Sequence, residues 1–169
     1  IGPDGNYYVS SFGRNEVHRY SPAGAYLGIF VPGGSGGLAG AAGIAFAPDG
    51  DLYVASSTTN QILRYQGPGG PMPGDFVAVH IENNPLPPLF PNGLFRPLDL
   101  VFDATGRAFV TSSLNSQVRR YSPTGVFQTV VGAAFNDPFV PGFPASTLNI
   151  PNGIAFGPEA EGWLRWCFA

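Results

Sequence analysis

Apolar and polar positions alternate along this chain in short runs, each cut after a few residues by glycine, proline, aspartate or asparagine. That is the pattern of strands joined by tight turns rather than of helices. Gly43-Ile44-Ala45-Phe46 reads as a short apolar strand, Asp49-Gly50 as a hairpin turn, and Leu52-Tyr53-Val54-Ala55-Ser56 as the partner strand. Asn60 and its neighbours turn the chain into a third strand, Gln61 to Gln66, in which Ile62 and Tyr65 need a bulge or twist to face the same side. A fourth strand follows a Pro-Gly segment and is clearest at Tyr26 to Val31, Phe76 to Ile81 and Phe127 to Val131.

The pattern recurs. Pro3-Asp4-Gly5-Asn6-Tyr7-Tyr8-Val9, Pro48-Asp49-Gly50-Asp51-Leu52-Tyr53-Val54 and Ala104-Thr105-Gly106-Arg107-Ala108-Phe109-Val110 are copies of one segment. In each copy a tyrosine follows the glycine by 15 residues, at Tyr20, Tyr65 and Tyr121, and a further glycine follows at Gly24, Gly69 and Gly125. Four antiparallel strands per repeat predict an all-β protein, a β-propeller of four-stranded blades. The periods from Gly5 to Gly50 to Gly106 are 45 and 56 residues, and the longer one takes its extra length in Gly67 to Gly74 and Asn83 to Phe95. Those Pro- and Gly-rich stretches read as surface loops. Gly33-Gly34-Ser35-Gly36-Gly37 reads as a flexible connector, because no strand-to-helix context makes it a phosphate cradle.

The repeats divide a single domain, 1–169, at about 1–42, 43–96 and 97–150, and 151–169 supplies one more inner strand, Gly153-Ile154-Ala155-Phe156. Three blade equivalents fall short of the 4 to 8 that close a propeller. The expectation is a six-bladed homodimer about a twofold axis, the C-terminal strand of one chain completing the N-terminal blade of its partner and covering sheet edges that otherwise invite aggregation. The chain does not begin with methionine, which points to a processed chain or a fragment, and Glu159 to Phe168 departs from the repeat pattern.

Composition narrows the function classes. Of 169 residues, 44% are hydrophobic and only 11% charged, so the chain can bury a core beneath a weakly charged surface. Gly and Pro, 24 and 18 residues, fall at periodic turn positions rather than marking disorder. A net charge of -3, with arginines spaced by the repeat, argues against nucleic acid as a partner. No apolar run approaches the roughly 18 residues of a membrane span. The single cysteine, Cys167, forms neither an internal disulfide nor a zinc site by itself.

With Gly-Ile-Ala-Phe-x-Pro-Asp-Gly-x-Leu-Tyr-Val-Ala at 43 to 55 and Ile-Leu-Arg-Tyr at 62 to 65, the chain resembles the NHL-type repeats of bacterial β-propellers. It is similar in the same positions to the gluconolactonase and regucalcin group and to the streptogramin lyases. The matching residues build strands and turns, so the resemblance bears on fold more than on activity. It implies a bacterial protein, extracellular or periplasmic. In the calcium-dependent lactonases the metal sits at the channel mouth on oxygens carried by loops leading into the innermost strands. Pro151-Asn152-Gly153 resembles the asparagine-bearing version of that loop, and Asp99 lies one residue beyond the matching place in Pro97-Leu98-Asp99. The resemblance therefore implies calcium or another divalent cation on Asn152 and Asp99, although no glutamate occupies the family's first ligand position. The competing reading of Pro-Asn-Gly is a turn entering a strand.

His18 and His80 are the only histidines. His18 lies within a third strand, away from the expected channel mouth. His80 and Glu82, two apart on an outer strand, face the same way and are the one acid/base pair available, although outer-strand placement favours a surface pair. The serine pairs at 10–11, 56–57 and 112–113 recur at one blade position and lack a nucleophile elbow, which points to turn hydrogen bonding. Phe90, Phe95, Phe135, Phe139 and Phe143 lie in long Pro-rich loops and are candidates for a ligand-binding rim. The expected function is a binding or interaction module using the channel mouth and these loops, with a small molecule or protein as ligand. A calcium-dependent lactonase or esterase is the alternative, and a lyase with His80 as base the third.

Overall fold

A computed structural model describes residues 1–82, 93–133, 148–156 and 164–165. Three antiparallel sheets follow one another. The first holds β1 (Tyr7–Ser11), β2 (Glu16–Tyr20) and β3 (Tyr26–Val31) in that order. The second is β4 (Ala41–Phe46), β5 (Leu52–Ser56), β6 (Gln61–Tyr65) and β7 (Phe76–Ile81), and the third is β8 (Pro97–Phe102), β9 (Ala108–Ser112), β10 (Gln117–Tyr121) and β11 (Phe127–Ala133). A two-stranded unit of β12 (Ala155–Phe156) and β13 (Leu164–Arg165) comes last. Ala155 pairs with Arg165 and Phe156 with Leu164, so within the chain β12 partners β13.

The Asp-Gly turns form because their side chains and glycines supply what a tight reversal needs. Asp49 Oδ1 accepts the Asp51 N–H at 3.0 Å, the Gly50 N–H donates to the Ala47 carbonyl, and Gly50 sits at φ 84°, in the left-handed region that glycine enters without strain. Side chains alternate along each strand, so a sheet flanked on both sides turns one row to the preceding sheet and the other to the following one. Val17, Phe30 and Val31 of the first sheet pack on Leu52, Val54, Leu63 and Tyr65 of the second. Tyr53, Ala55, Ile62 and Ile81 on the second sheet's other face pack on Leu100, Ala108, Val110 and Tyr121 of the third. Phe109 and Val118 of the third meet Leu148 and Ile154. Complete burial of a side chain such as Leu63 or Ile62 contributes about 1.5–3 kcal/mol each, so these inter-sheet layers are the core.

Two expectations are corrected here. Ile62 and Tyr65 do not share a face; they lie three residues apart on a regular strand and feed opposite inter-sheet layers. The bulges fall instead where β6 pairs with β7. The Gly33–Gly37 run is a built turn rather than a loose connector. Ser35–Gly37 forms one 3-10 turn, the Ser35 carbonyl accepts the Tyr65 hydroxyl at 2.7 Å, and Gly36 lies against the Phe76 ring.

Candidate rim site at the start of the inner strands

β4, β8 and β12 each begin after a loop of one design. A leucine (Leu38, Leu94, Leu148) is buried, and two residues on the backbone enters the left-handed region at Gly40 (φ 67°), Arg96 (φ 49°) and Ile150 (φ 48°). The N–H of that residue donates to the preceding sheet's turn. Gly40 donates to Asn15 Oδ1 at 2.6 Å, Arg96 to Asn60 Oδ1 at 2.7 Å, and Ile150 to Ser116 Oγ at 3.3 Å. Asn15, Asn60 and Ser116 are themselves at positive φ. The strand-and-turn pattern of the sequence marks Asn60 as a turn residue, but neither the leucine, nor the left-handed lead-in, nor the amide that the turn side chain receives. Aligning the repeats backwards from Gly43, Asp99 and Gly153 brings the three leucines into register and supplies the missing signal.

Ser56 and Ser112 close the same loops from the strand side. Ser56 Oγ accepts the Ala39 N–H at 3.0 Å and donates to its carbonyl, and Ser112 Oγ does the same with Phe95. Their hydroxyls are committed to backbone, in keeping with turn hydrogen bonding.

These loops, with the turns Phe12–Asn15, Ser57–Asn60 and Ser113–Ser116, make one rim. Phe12, Phe95, Leu114 and Ile150 are exposed on it. Phe12 lies beside Gly40, and the Leu114 N–H donates to the Phe95 carbonyl, so the apolar groups follow one another around the rim. Arg14 and Arg96 are exposed there as well. Among the described residues the nearby acids are Glu16, which follows one of these turns and faces His18, Glu82, bonded to Gln61 beside another, and Asp99 on β8. Of the five phenylalanines expected to form a rim, Phe95 is on it; Phe90, Phe135, Phe139 and Phe143 lie outside the described residues.

Asp99 is half-buried on β8. Oδ1 accepts the Leu100 N–H and Oδ2 the Ile154 N–H, each at 2.9 Å, while Asp99 N–H donates to Thr111 Oγ1 at 2.8 Å. The carboxylate thus ties the third sheet to the strand that follows Asn152. Burial pushes its pKa up, against the lowering effect of the two N–H donors. A Cβ on Gly43 would stand 2.6 Å from Asp99 Oδ1, so the glycine makes the space in which the carboxylate sits between neighbouring inner strands. Asn152 is exposed at the start of the next inner strand.

His80 and Glu82 are not brought together. The His80 ring packs edge-on to Tyr53 at 4.8 Å between centroids and near Phe102 at 6.4 Å, and Nε2 is buried without a hydrogen-bond partner. Burial, with the charge of Arg64, lowers its pKa. Glu82 accepts instead from Gln61 Nε2 at 3.3 Å. Tyr8, Phe30 and Phe46 form the matching cluster one sheet earlier, with 4.9 Å between Tyr8 and each partner, so His80 stands where the first sheet has Phe30. Its surroundings are those of an inter-sheet wedge.

At the opposite ends of the strands a cavity of about 390 Å³ is lined by Asp4, Asp49, Asp51 and turn glycines. Its carboxylates are engaged. Asp4 accepts from Asn6 and Tyr8, Asp49 from Tyr53 at 3.0 Å and Arg64 at 3.1 Å, and Asp51 from Arg64 Nε at 2.7 Å and the Gly67 N–H. Burial of the Tyr8 phenol pushes its pKa up to about 12. No group of three or more metal-binding side chains occurs among the described residues.

Solved structures with this arrangement are propellers. A gluconolactonase-family protein superposes with a TM-score of 0.61 at 20% identity, over 93% of this chain and 49% of its own. Virginiamycin B lyase from Staphylococcus aureus, in a catalytically inactive form with quinupristin, gives a TM-score of 0.53 at 19% identity, over 76% and 38%. The fold is a β-propeller. A luciferin-regenerating enzyme adds a TM-score of 0.58 at 13% identity, over 80% of this chain and 45% of its own. This propeller chain thus spans less than half the length of each of these three relatives. No family profile and no curated protein sequence matches it. No helix among the described residues is long and apolar enough to cross a membrane.

Proposed function

We propose that the protein is a ligand-binding propeller module whose rim takes a molecule with an apolar or aromatic body and an anionic group. The observation that carries this reading is the rim's composition. Phe12, Phe95, Leu114 and Ile150 are exposed beside Arg14 and Arg96, and the acids nearby are engaged, Asp99 by two backbone N–H groups, Glu16 by His18 and Glu82 by Gln61. Exposed apolar groups gathered at one end of a rigid scaffold are a binding surface in the usual sense, and two exposed guanidinium groups select the sign of the ligand. The test is calorimetric titration with a panel of aryl carboxylates and their methyl esters. Saturable binding of the acids, weakened at least 10-fold by Phe95→Ala and by Arg96→Gln, supports the reading. Equal binding of acids and neutral esters by parent and variants refutes it.

A cation-dependent hydrolase of the lactonase type is the second reading. It draws on the neighbourhood of Asp99 and Asn152, whose strands are joined by the hydrogen bond from Ile154 to Asp99. Both side chains carry oxygen of the kind that a hard cation such as calcium takes, and Asp99 would have to share its two with the backbone N–H groups they already accept. A cation held by these two side chains would supply Lewis-acid polarisation of a lactone or ester carbonyl. Lactone turnover that is abolished by chelator and by Asn152→Ala would move this reading ahead of the first.

A further inference from the structure

The face of the first sheet that no other sheet covers is built like an internal interface. Val9, His18 and Ile29 stand directly across from one another on β1, β2 and β3. The same row is Val54, Leu63 and Val79 in the second sheet and Val110, Arg119 and Val130 in the third. Val54 and Val110 are 0% exposed, whereas Val9 and Ile29 are each 50% exposed, with Tyr7, Tyr26 and Leu27 exposed around them. The polar member of the row does not oppose burial. His18 has partners on both ring nitrogens, Glu16 Oε2 at 3.1 Å from Nε2 and the Tyr26 hydroxyl at 3.2 Å from Nδ1, and Arg119 is fully buried at the same place in the third sheet.

The edge is unfilled as well. β5 and β9 have an inner neighbour, β4 and β8, but β1, their counterpart, has β2 alone. The sequence that fills that place in the second sheet is Gly43-Ile44-Ala45-Phe46, and the chain carries the same four residues once more, Gly153-Ile154-Ala155-Phe156, around β12. β12 already packs on the third sheet through Ile154 and Phe156, the latter edge-on to Phe109 at 5.5 Å.

We propose that a second copy of this chain covers the open face of the first sheet, its β12 pairing with β1 in place of β13 and its third sheet packing on Val9, His18 and Ile29. Exchanged reciprocally about a twofold axis, this closes six blades and removes both exposed edges. The register follows from β4 and β5, where Ile44 pairs with Val54, Ala45 with Tyr53 and Phe46 with Leu52. The pairs between chains are accordingly Ile154 with Val9, Ala155 with Tyr8 and Phe156 with Tyr7. The inference is independent of what the rim binds.

The test uses the full chain with Cys167→Ser, so that no native thiol interferes. Light scattering after gel filtration is expected to give twice the 17.8 kDa of one chain. Tyr8→Cys combined with Ala155→Cys is expected to form a disulfide-linked dimer on mild oxidation. Val9→Cys with Ala155→Cys, one residue out of register and on opposite faces, is expected to stay unlinked. Val9→Asp with Ile29→Asp is expected to shift the mass to one chain with the strand circular dichroism retained. A parent that stays at the mass of one chain overturns the proposal. So does a dimer that the Tyr8→Cys and Ala155→Cys pair fails to link, or one that the aspartates leave intact.

Discussion

Asp99→Ala tests the inner ring where site and fold meet. In the native chain the carboxylate accepts two backbone N–H groups, one from its own strand and one from Ile154 in the next, each at 2.9 Å. Hydrogen bonds to a charged acceptor contribute about 1.5–3 kcal/mol each, and a buried N–H left without an acceptor costs about 1–3 kcal/mol. Relief from holding a carboxylate away from water offsets part of this, since burial is the larger influence on Asp99 and raises its pKa. The net expectation is a loss of about 2–4 kcal/mol. With a urea slope of about 1–3 kcal/mol/M for a chain of this size, the unfolding midpoint should fall by roughly 1–2 M. Asp99→Asn keeps one carbonyl acceptor but turns an NH2 donor toward the second N–H, so it should fall between parent and alanine. The sign of the pH effect is also fixed. A carboxyl whose folded pKa is raised stabilises the fold most when protonated, and that contribution disappears as pH rises through the folded value. The parent's advantage over Asp99→Asn should therefore shrink as pH increases across the range just above the ordinary carboxylate value. An unfolding free energy for Asp99→Ala within about 0.5 kcal/mol of the parent would refute the assignment of Asp99 as the tie between inner strands.

Three further outcomes follow from the geometry. Gly74→Ala places a Cβ 1.9 Å from the Phe30 carbonyl at φ 88°, whereas Gly24→Ala, at φ 81°, meets nothing within 4 Å; the first should cost about 3 kcal/mol or more and the second about 1–2, read as paired thermal midpoints, and equal losses would refute the close approach. His80→Phe, which copies Phe30 and removes the unpartnered buried Nε2, should stabilise the chain. Because the pKa of His80 is lowered in the fold, the parent's stability is full above about pH 6.5 and is lost as pH falls through the folded value, so the gain should widen on acidification; a gain that does not change with pH would count against it. Asn60→Ala should cost about 1–2 kcal/mol through loss of the Arg96 N–H acceptor and the left-handed residue that asparagine tolerates, with Asn60→Gly milder in urea unfolding; the reverse order would refute the relay between sheets.

The sheets are legible in the repeat itself, because Asp-Gly turns and alternating apolar residues are local signals. What lies between sheets is not. His80 reads as an outer-strand residue from its neighbours in sequence, and only the packing of Tyr53 and Phe102 reveals it as an inter-sheet wedge. A common face for Ile62 and Tyr65 follows only if a sheet has one core; the second sheet, flanked on both sides, has a core on each face. The place of Asp99 and Asn152 near the inner strands is visible from spacing. That Asp99 directs its oxygens at backbone rather than outward is not, since its partner Ile154 lies 55 residues away.

The relay from Asn15 to Gly40, Asn60 to Arg96 and Ser116 to Ile150 weakens along the chain, from 2.6 to 2.7 to 3.3 Å, as amide acceptors give way to a hydroxyl. The left-handed residue becomes less suited to its backbone in the same order, from glycine to arginine to β-branched isoleucine. In a linear array whose stability is a sum of unit and neighbour contributions, such a gradient sets the order of local opening. The junction at Ile150 is expected to release first, and amide protons around Ile154 should then exchange with solvent before those of β4 and β5. Such an order would make β12 the strand most available for transfer to another sheet, with the two earlier junctions opening later.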